Sequence, residues 1–139
     1  MAKIKRTINI NAPVAKVFDY VDDANNFPEF WPSMVEVKDV KKGESFRWVY
    51  KMAGMKFEGA SKVIESIANE RHGTKSSSGI PNTFMWTYQP DQGGTKLTLE
   101  IEYTVPVPLL GKLAEAFIVK MNEREADTML ANLKTRMET

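Results

Sequence analysis

The chain contains no cysteine and only one histidine. The first absence excludes disulfides, thiolate nucleophiles, iron–sulfur clusters and Cys-ligated zinc. The second excludes a His-rich metal site and leaves His72 as the sole histidine for any Ser-His-Asp arrangement. An excess of one charge is missing as well. Lys+Arg total 19 and Asp+Glu total 18, so the formal net charge is +1, which argues against a broad nucleic-acid footprint. No apolar run approaches the roughly 18 residues of a spanning helix, so no stable membrane insertion is expected. Met1-Ala2-Lys3-Ile4-Lys5-Arg6 is not followed by the apolar core of a signal peptide, and there is no Asn-x-Ser/Thr sequon. A cytoplasmic location is the expectation. Ser76-Ser77-Ser78 lacks a Gly-x-Ser-x-Gly context, and Gly93-Gly94-Thr95-Lys96 lacks the spacing of a phosphate loop. Asp22-Asp23 alone does not make a metal site. No metal and no cofactor are expected.

What is present is apolar and soft: eight Met, seven Phe, four Tyr and three Trp in 139 residues. A chain of this size buries roughly 68% of its unfolded surface, enough for a core without staples. There is no repeat, low-complexity tract or linker, so residues 1–139 read as one domain.

Ile4, Ile8 and Ile10 alternate with polar residues, which predicts a half-buried strand. Asn11 and Pro13 can open a helix, and Val14, Val17, Phe18 and Val21 then follow at helical spacing. Phe27-Pro28-Glu29-Phe30-Trp31-Pro32 predicts a short helix or turn on an apolar surface. From residue 34 the chain reads as an antiparallel meander. Phe46, Trp48, Tyr50 and Met52 share one strand face, Phe84, Trp86 and Tyr88 another, and Leu97, Leu99, Ile101, Tyr103 and Val105 a third. Turn signals stand at Lys41-Lys42-Gly43-Glu44, Ala53-Gly54 and Asp91-Gln92-Gly93-Gly94. Ile64 and Ile67 break the alternation, as a bulge would. Residues 71–80 are ambiguous between weak strand and loop. Pro106 and Pro108 end the last strand, and residues 109–138 predict a helix of about 45 Å at 1.5 Å per residue.

That helix carries two apolar stripes. Leu110, Leu113, Ala114, Phe117 and Met121 form one; Ile118, Ala126, Met129, Leu130, Leu133 and Met137 form the other. They meet near Met121, Asn122 and Glu125. A helix that curves over a twisted sheet produces such a pattern, and so does one that covers a cavity at one end and a solid core at the other.

Several segments resemble one family. Ile10-Asn11-Ala12-Pro13 with Val17-Phe18 and Tyr20-Val21-Asp22 is similar to its opening motif, and Asn26 to Pro32 to its aromatic, Pro-punctuated segment. Gly93-Gly94-Thr95-Lys96-Leu97-Thr98 resembles its turn into the last strand. Tyr103-x-Val105-Pro106-x-Pro108-Leu109-Leu110-Gly111 and Leu130-x-Asn132-Leu133-Lys134 resemble the start and finish of its long helix. The family is the polyketide cyclase/dehydrase branch of the START-like (SRPBCC) superfamily, which also resembles ubiquinone-binding START proteins. The resemblance implies an α+β helix-grip fold: a curved antiparallel sheet wrapped around one long C-terminal helix, with two short helices after the first strand. It implies an apolar cavity between sheet and helix, used for lipids, sterols, quinones, polyketides or aromatic compounds. It supplies no catalytic signature, and fold alone does not settle function.

Three readings follow. The first is a carrier or sensor of a small hydrophobic or aromatic molecule, lined by Trp48, Tyr50, Phe57, Phe84, Trp86, Leu99, Tyr103, Phe117 and Met121. Met52, Met55, Met121 and Met129 make that pocket deformable if they line it. The second is a cyclase- or dehydrase-type enzyme with a polar cluster in the same cavity, for which Glu125 and Tyr103 are the weak catalytic candidates; Glu125 reads first as part of a solvated charge run. The third is a protein-interaction module with a filled core and an exposed patch at Phe27, Phe30 and Trp31; its partner is unspecified. Tyr50, Tyr88 and Tyr103 read equally as core residues or as groups that orient a ligand oxygen. Arg6 reads as an exposed edge charge, or as one paired with an acid. His72 reads as a surface position just past a turn.

Overall fold

The computed structural model describes residues 1–105 and 111–139. The predicted strand end at Pro106 and Pro108, the helix start at residue 109, and Leu110 of the first stripe lie outside the described residues. Strand β1 (Ala2–Ile10) leads into helix α1 (Val14–Asp22), a 3-10 turn (Ala24–Asn26) and the short helix α2 (Phe27–Phe30). Strands β2 (Met34–Lys41), β3 (Ser45–Met52), β4 (Met55–Ile67), β5 (Arg71–Ser76), β6 (Asn82–Asp91) and β7 (Gly94–Tyr103) follow, and helix α3 (Gly111–Met137) closes the chain. The seven strands form one antiparallel sheet in the order β1-β7-β6-β5-β4-β3-β2. This is the helix-grip architecture. Among the described residues no helix is long and apolar enough to cross a membrane.

The meander is built on tight turns. Ala53 and Gly54 both have positive φ (51° and 78°), as do Gln92 and Gly93 (51° and 85°). Such two-residue turns match the right-handed twist of the strands they join. The ambiguous stretch at residues 71–80 contains a true strand, β5, paired to β4 and β6. The register shift between Val63 and Glu65 falls at Ile64, where the alternation breaks in the sequence.

Alternation puts the aromatic strand faces on the concave side of the sheet, where α1, α2 and α3 cover them. The core runs from Ile4, Ile10, Leu97 and Leu99 through Trp86 and Tyr88 to Phe46 and Trp48, with Val17, Val21, Phe30, Met129, Leu130 and Leu133 from the helices.

Helix α3 is fastened mainly through its C-terminal half. Lys16 Nζ donates to the Met137 carbonyl at 2.8 Å. Asn132 Nδ2 donates to the Phe30 carbonyl at 3.2 Å, and Arg136 Nε to that of Glu29 at 3.1 Å. The Asn11 amide donates to Glu138 Oε2 at 2.7 Å. Arg6 is not a lone edge charge: it reaches Asp127 at 2.7 Å and Glu123 at 3.3 Å, both on α3.

Candidate ligand cavity

The concave face is not completely filled. A cavity of about 70 Å³ lies between the sheet, α2 and α3, against the ~10–15 Å³ that a single water requires. Including its mouth to solvent, the recess encloses about 740 Å³ of atom-free space. Strand β3 lines it with Phe46, Trp48, Tyr50 and Met52, β6 with Asn82, Phe84 and Trp86, and β7 with Ile101 and Tyr103. Phe27, Trp31 and Met34 come from α2 and the chain just after it; Asn122, Glu125, Ala126 and Met129 come from α3. Ile4, Ser61, Thr74 and Ile80 complete the wall.

Each side chain arrives for a local reason. Period-2 alternation carries Phe46, Trp48, Tyr50 and Met52 to one face. Helical spacing carries Asn122, Glu125, Ala126 and Met129 to one side of α3. Trp48 is held flat because β4 offers no side chain at Gly59, its register partner. A Cβ on Gly59 would lie 2.3 Å from the Trp48 ring, and one on Gly79 would lie 2.8 Å from it. Trp48 Nε1 donates to Ser61 Oγ at 3.0 Å.

The polar groups of the cavity are few, and some lack partners. Glu125 Oε1 accepts the Ser33 amide at 2.8 Å. Asn122 Nδ2 approaches Met52 Sδ at 3.8 Å. The buried Trp31 Nε1 and Tyr103 Oη have no hydrogen-bond partner among the described residues. Burial, and then the nearby Glu125 carboxylate, push the Tyr50 hydroxyl up to about 12. Burial also raises Tyr103, with Asn122 pulling the other way. Both phenols are therefore neutral donors at physiological pH.

Of the residues singled out in the sequence, Trp48, Tyr50, Phe84, Trp86 and Tyr103 face the cavity. Leu99 shares their side of the sheet but is fully buried in the packed region, opposite Arg6 and Trp86 in register. Phe57 is half-buried opposite Tyr50 and lies outside the cavity wall. Met121 is half-buried against the core, and Met55 is exposed. Phe117 is 65% exposed and Leu113 90%, because α3 docks through the side carrying Asn122, Ala126 and Met129, away from the first stripe. Glu125 does not sit on a solvated face: it is half-buried at the cavity wall. Phe27, Phe30 and Trp31 form no exposed patch; all three are buried, with Phe27 and Phe30 packed edge-to-face at 6.0 Å.

His72 is a further correction. Its side chain is buried on the concave face, opposite Trp86 in register and edge-on to Phe18 at 6.5 Å. The period-2 series His72, Thr74, Ser76 carried that signal. Nε2 lies 3.6 Å from Asp22 Oδ1, and Nδ1 has no partner among the described residues. Burial lowers the imidazole below its ordinary range, while Asp22 partly opposes the shift. A base depressed on folding binds its proton more readily in the unfolded chain, so stability declines as pH falls below about 6.5. Wild-type Tm should fall between about pH 7 and 5.5, with a free-energy slope from His72 of at most about 1.4 kcal/mol per pH unit. The variant His72→Phe should flatten that slope. An unchanged slope would remove His72 from the account.

An incompletely filled concave sheet beneath a long helix defines a START-like helix-grip protein. The family model described as polyketide cyclase / dehydrase and lipid transport matches residues 1–138, and the chain belongs to that family. A protein from Thermus thermophilus superposes with a TM-score of 0.84 at 20% identity, covering 97% of this chain and 96% of that one. A START superfamily protein from Mycobacterium smegmatis gives 0.83 at 15% identity, with 99% and 98% covered. The Zhui aromatase/cyclase from Streptomyces sp. R1128 gives 0.78 at 15% identity, with 98% and 93% covered. At these identities the likeness is one of fold. None of the functionally curated proteins compared matches the chain.

Proposed function

We propose that this protein is a carrier or sensor that binds a small hydrophobic or aromatic molecule in the cavity between sheet and α3. The observation that supports it is the cavity itself, walled by aromatic and Met side chains with a handful of polar groups. Such a site binds by burial and orients its ligand through a few hydrogen bonds. Met34, Met52 and Met129 in the wall suit more than one ligand shape. Tyr103 Oη and Trp31 Nε1, buried without partners among the described residues, suit a ligand oxygen as acceptor.

A second reading, a cyclase- or dehydrase-type enzyme, draws on Glu125 and the neighbouring neutral Tyr50 hydroxyl as a carboxylate–phenol pair in the same cavity. The cavity reading that both share is tested by titrating the chain with the apolar fluorophore N-phenyl-1-naphthylamine. Saturable binding is expected in the wild type. Ala126→Phe, which fills the cavity from α3 at a buried position, should weaken it by at least roughly tenfold. Equal binding by the two proteins, or no binding by the wild type, would overturn the proposal.

A further inference from the structure

Among the described residues of the cavity wall, Glu125 is the only one with a charged side chain, and it is an acid. No described Lys, Arg or His shares the wall with it. One carboxylate oxygen accepts the Ser33 amide, and among the described residues no donor reaches the other. A carboxylate at the wall of a mainly apolar cavity attracts a cation into that space and repels an anion from it. Its surroundings are aromatic. Trp31 stands two residues from Ser33 and is ringed by Tyr50 at 5.7 Å, Phe84 at 5.0 Å and Phe27 at 5.8 Å, at interplanar angles of 70°, 45° and 57°. Trp31, Tyr50, Phe84 and Phe27 all line the cavity, so their rings border one space. A π face attracts a cation, and an aromatic cage closed by a carboxylate is complementary to an alkylated ammonium group. Two independent features, the lone acid and the tilted rings around Trp31, therefore favour the same charge.

We propose that the ligand is a cationic amphiphile: an apolar or aromatic body bearing a tertiary or quaternary ammonium group, with the ammonium seated between Glu125 and the Trp31–Tyr50–Phe84 rings. This rests on the cavity reading and narrows it to one ligand class. The apolar body lies against Trp48, Trp86 and Met129. The ammonium gives Glu125 an opposite charge within the cavity. An anionic ligand, such as a free fatty acid, is disfavoured because its carboxylate would face that of Glu125 across a low-dielectric space.

The test uses a matched pair of probes: benzyltrimethylammonium, and neopentylbenzene, which replaces its nitrogen with carbon. The two have the same shape and differ in charge. Binding is read from intrinsic fluorescence, since all three tryptophans, Trp31, Trp48 and Trp86, line the cavity. The expected result is a preference of roughly tenfold or more for the cation. Glu125→Gln keeps the acceptor for Ser33 and should abolish most of that preference, weakening the cation far more than neopentylbenzene. Trp31→Leu, an independent change, should lower the same ratio. Equal or tighter wild-type binding of neopentylbenzene would overturn the ammonium assignment and leave the cavity reading intact. Binding of neither probe would overturn both.

Discussion

Gly59→Val is expected to cost about 3–5 kcal/mol of stability, the sum of an overpacked strand and an orphaned buried hydrogen bond. The cost arises at Trp48. Its indole lies across the bare backbone of Gly59, and even the first carbon of a side chain there would come within 2.3 Å of the ring and 2.6 Å of the Ser78 carbonyl. The ring has little room to slide along this flank, because the Gly79 backbone closes in on it as well. Trp48 must tilt into the cavity and release Ser61 Oγ. A native domain has only about 5–15 kcal/mol in all, so the urea midpoint should fall sharply and the fluorescence change with it. Gly43→Ala is the control. Gly43 has φ +78°, and a Cβ added there would meet nothing within 4 Å. It carries backbone strain without the clash and should cost only about 1 kcal/mol. If Gly59→Val were no worse than Gly43→Ala, the account of the Trp48 seat would be wrong.

Trp86→Ala is expected to cost a similar amount by the opposite route. Trp86 is 1% exposed and stands between His72 and Leu99 in the sheet register. Truncating a buried Trp removes about 3–5 kcal/mol through lost burial and the void it leaves. Here the void opens onto an existing cavity, since Trp86 is part of its wall. Part of the loss should therefore be recoverable. Saturating N-phenyl-1-naphthylamine should raise the Tm of Trp86→Ala by more than it raises that of the wild type, because a ligand that binds only the folded state stabilises it in proportion to its affinity. A Tm shift equal to that of the wild type would place Trp86 outside the binding space.

The sequence is most readable where one periodicity decides the matter. In the strands, alternation selects a face and nothing else, which is why Trp48, Tyr50, Phe84, Trp86 and Tyr103 fall on the cavity side. Alternation cannot say how far along a strand the packed region gives way to open space. Leu99 has the right face but meets the filled part of the core, and Phe57 lies outside the wall. On α3 the difficulty is rotational. Two apolar stripes are visible, and the docked side is settled by contacts remote in sequence: Arg6 with Glu123 and Asp127, and Asn132 with Phe30. Those contacts turn Phe117 outward and bring Glu125 and Asn122, at the junction of the stripes, to the wall. The residues around Trp31 are hidden for another reason. A Pro-punctuated aromatic segment has no period to read, and Phe27 and Trp31 reach the cavity only through the fold of α2 and the turn after it. His72 resembles a loop residue because polar strand positions look exposed when the helix that buries them is far away in the chain.

The uneven fastening of α3 has a kinetic consequence. Its C-terminal half is tied to β1, α1 and α2 by ion pairs and by hydrogen bonds from side chains to backbone carbonyls, whereas Leu113 and Phe117 near its start face solvent. An outward swing confined to the stretch before the buried Ile118 moves the exposed Leu113 and Phe117 and leaves the rest of the helix and the sheet in place. The free energy of such an opening is a fraction of that of global unfolding. On the carrier reading, the residence time of a guest would then follow a local opening at the helix start rather than the stability of the whole protein.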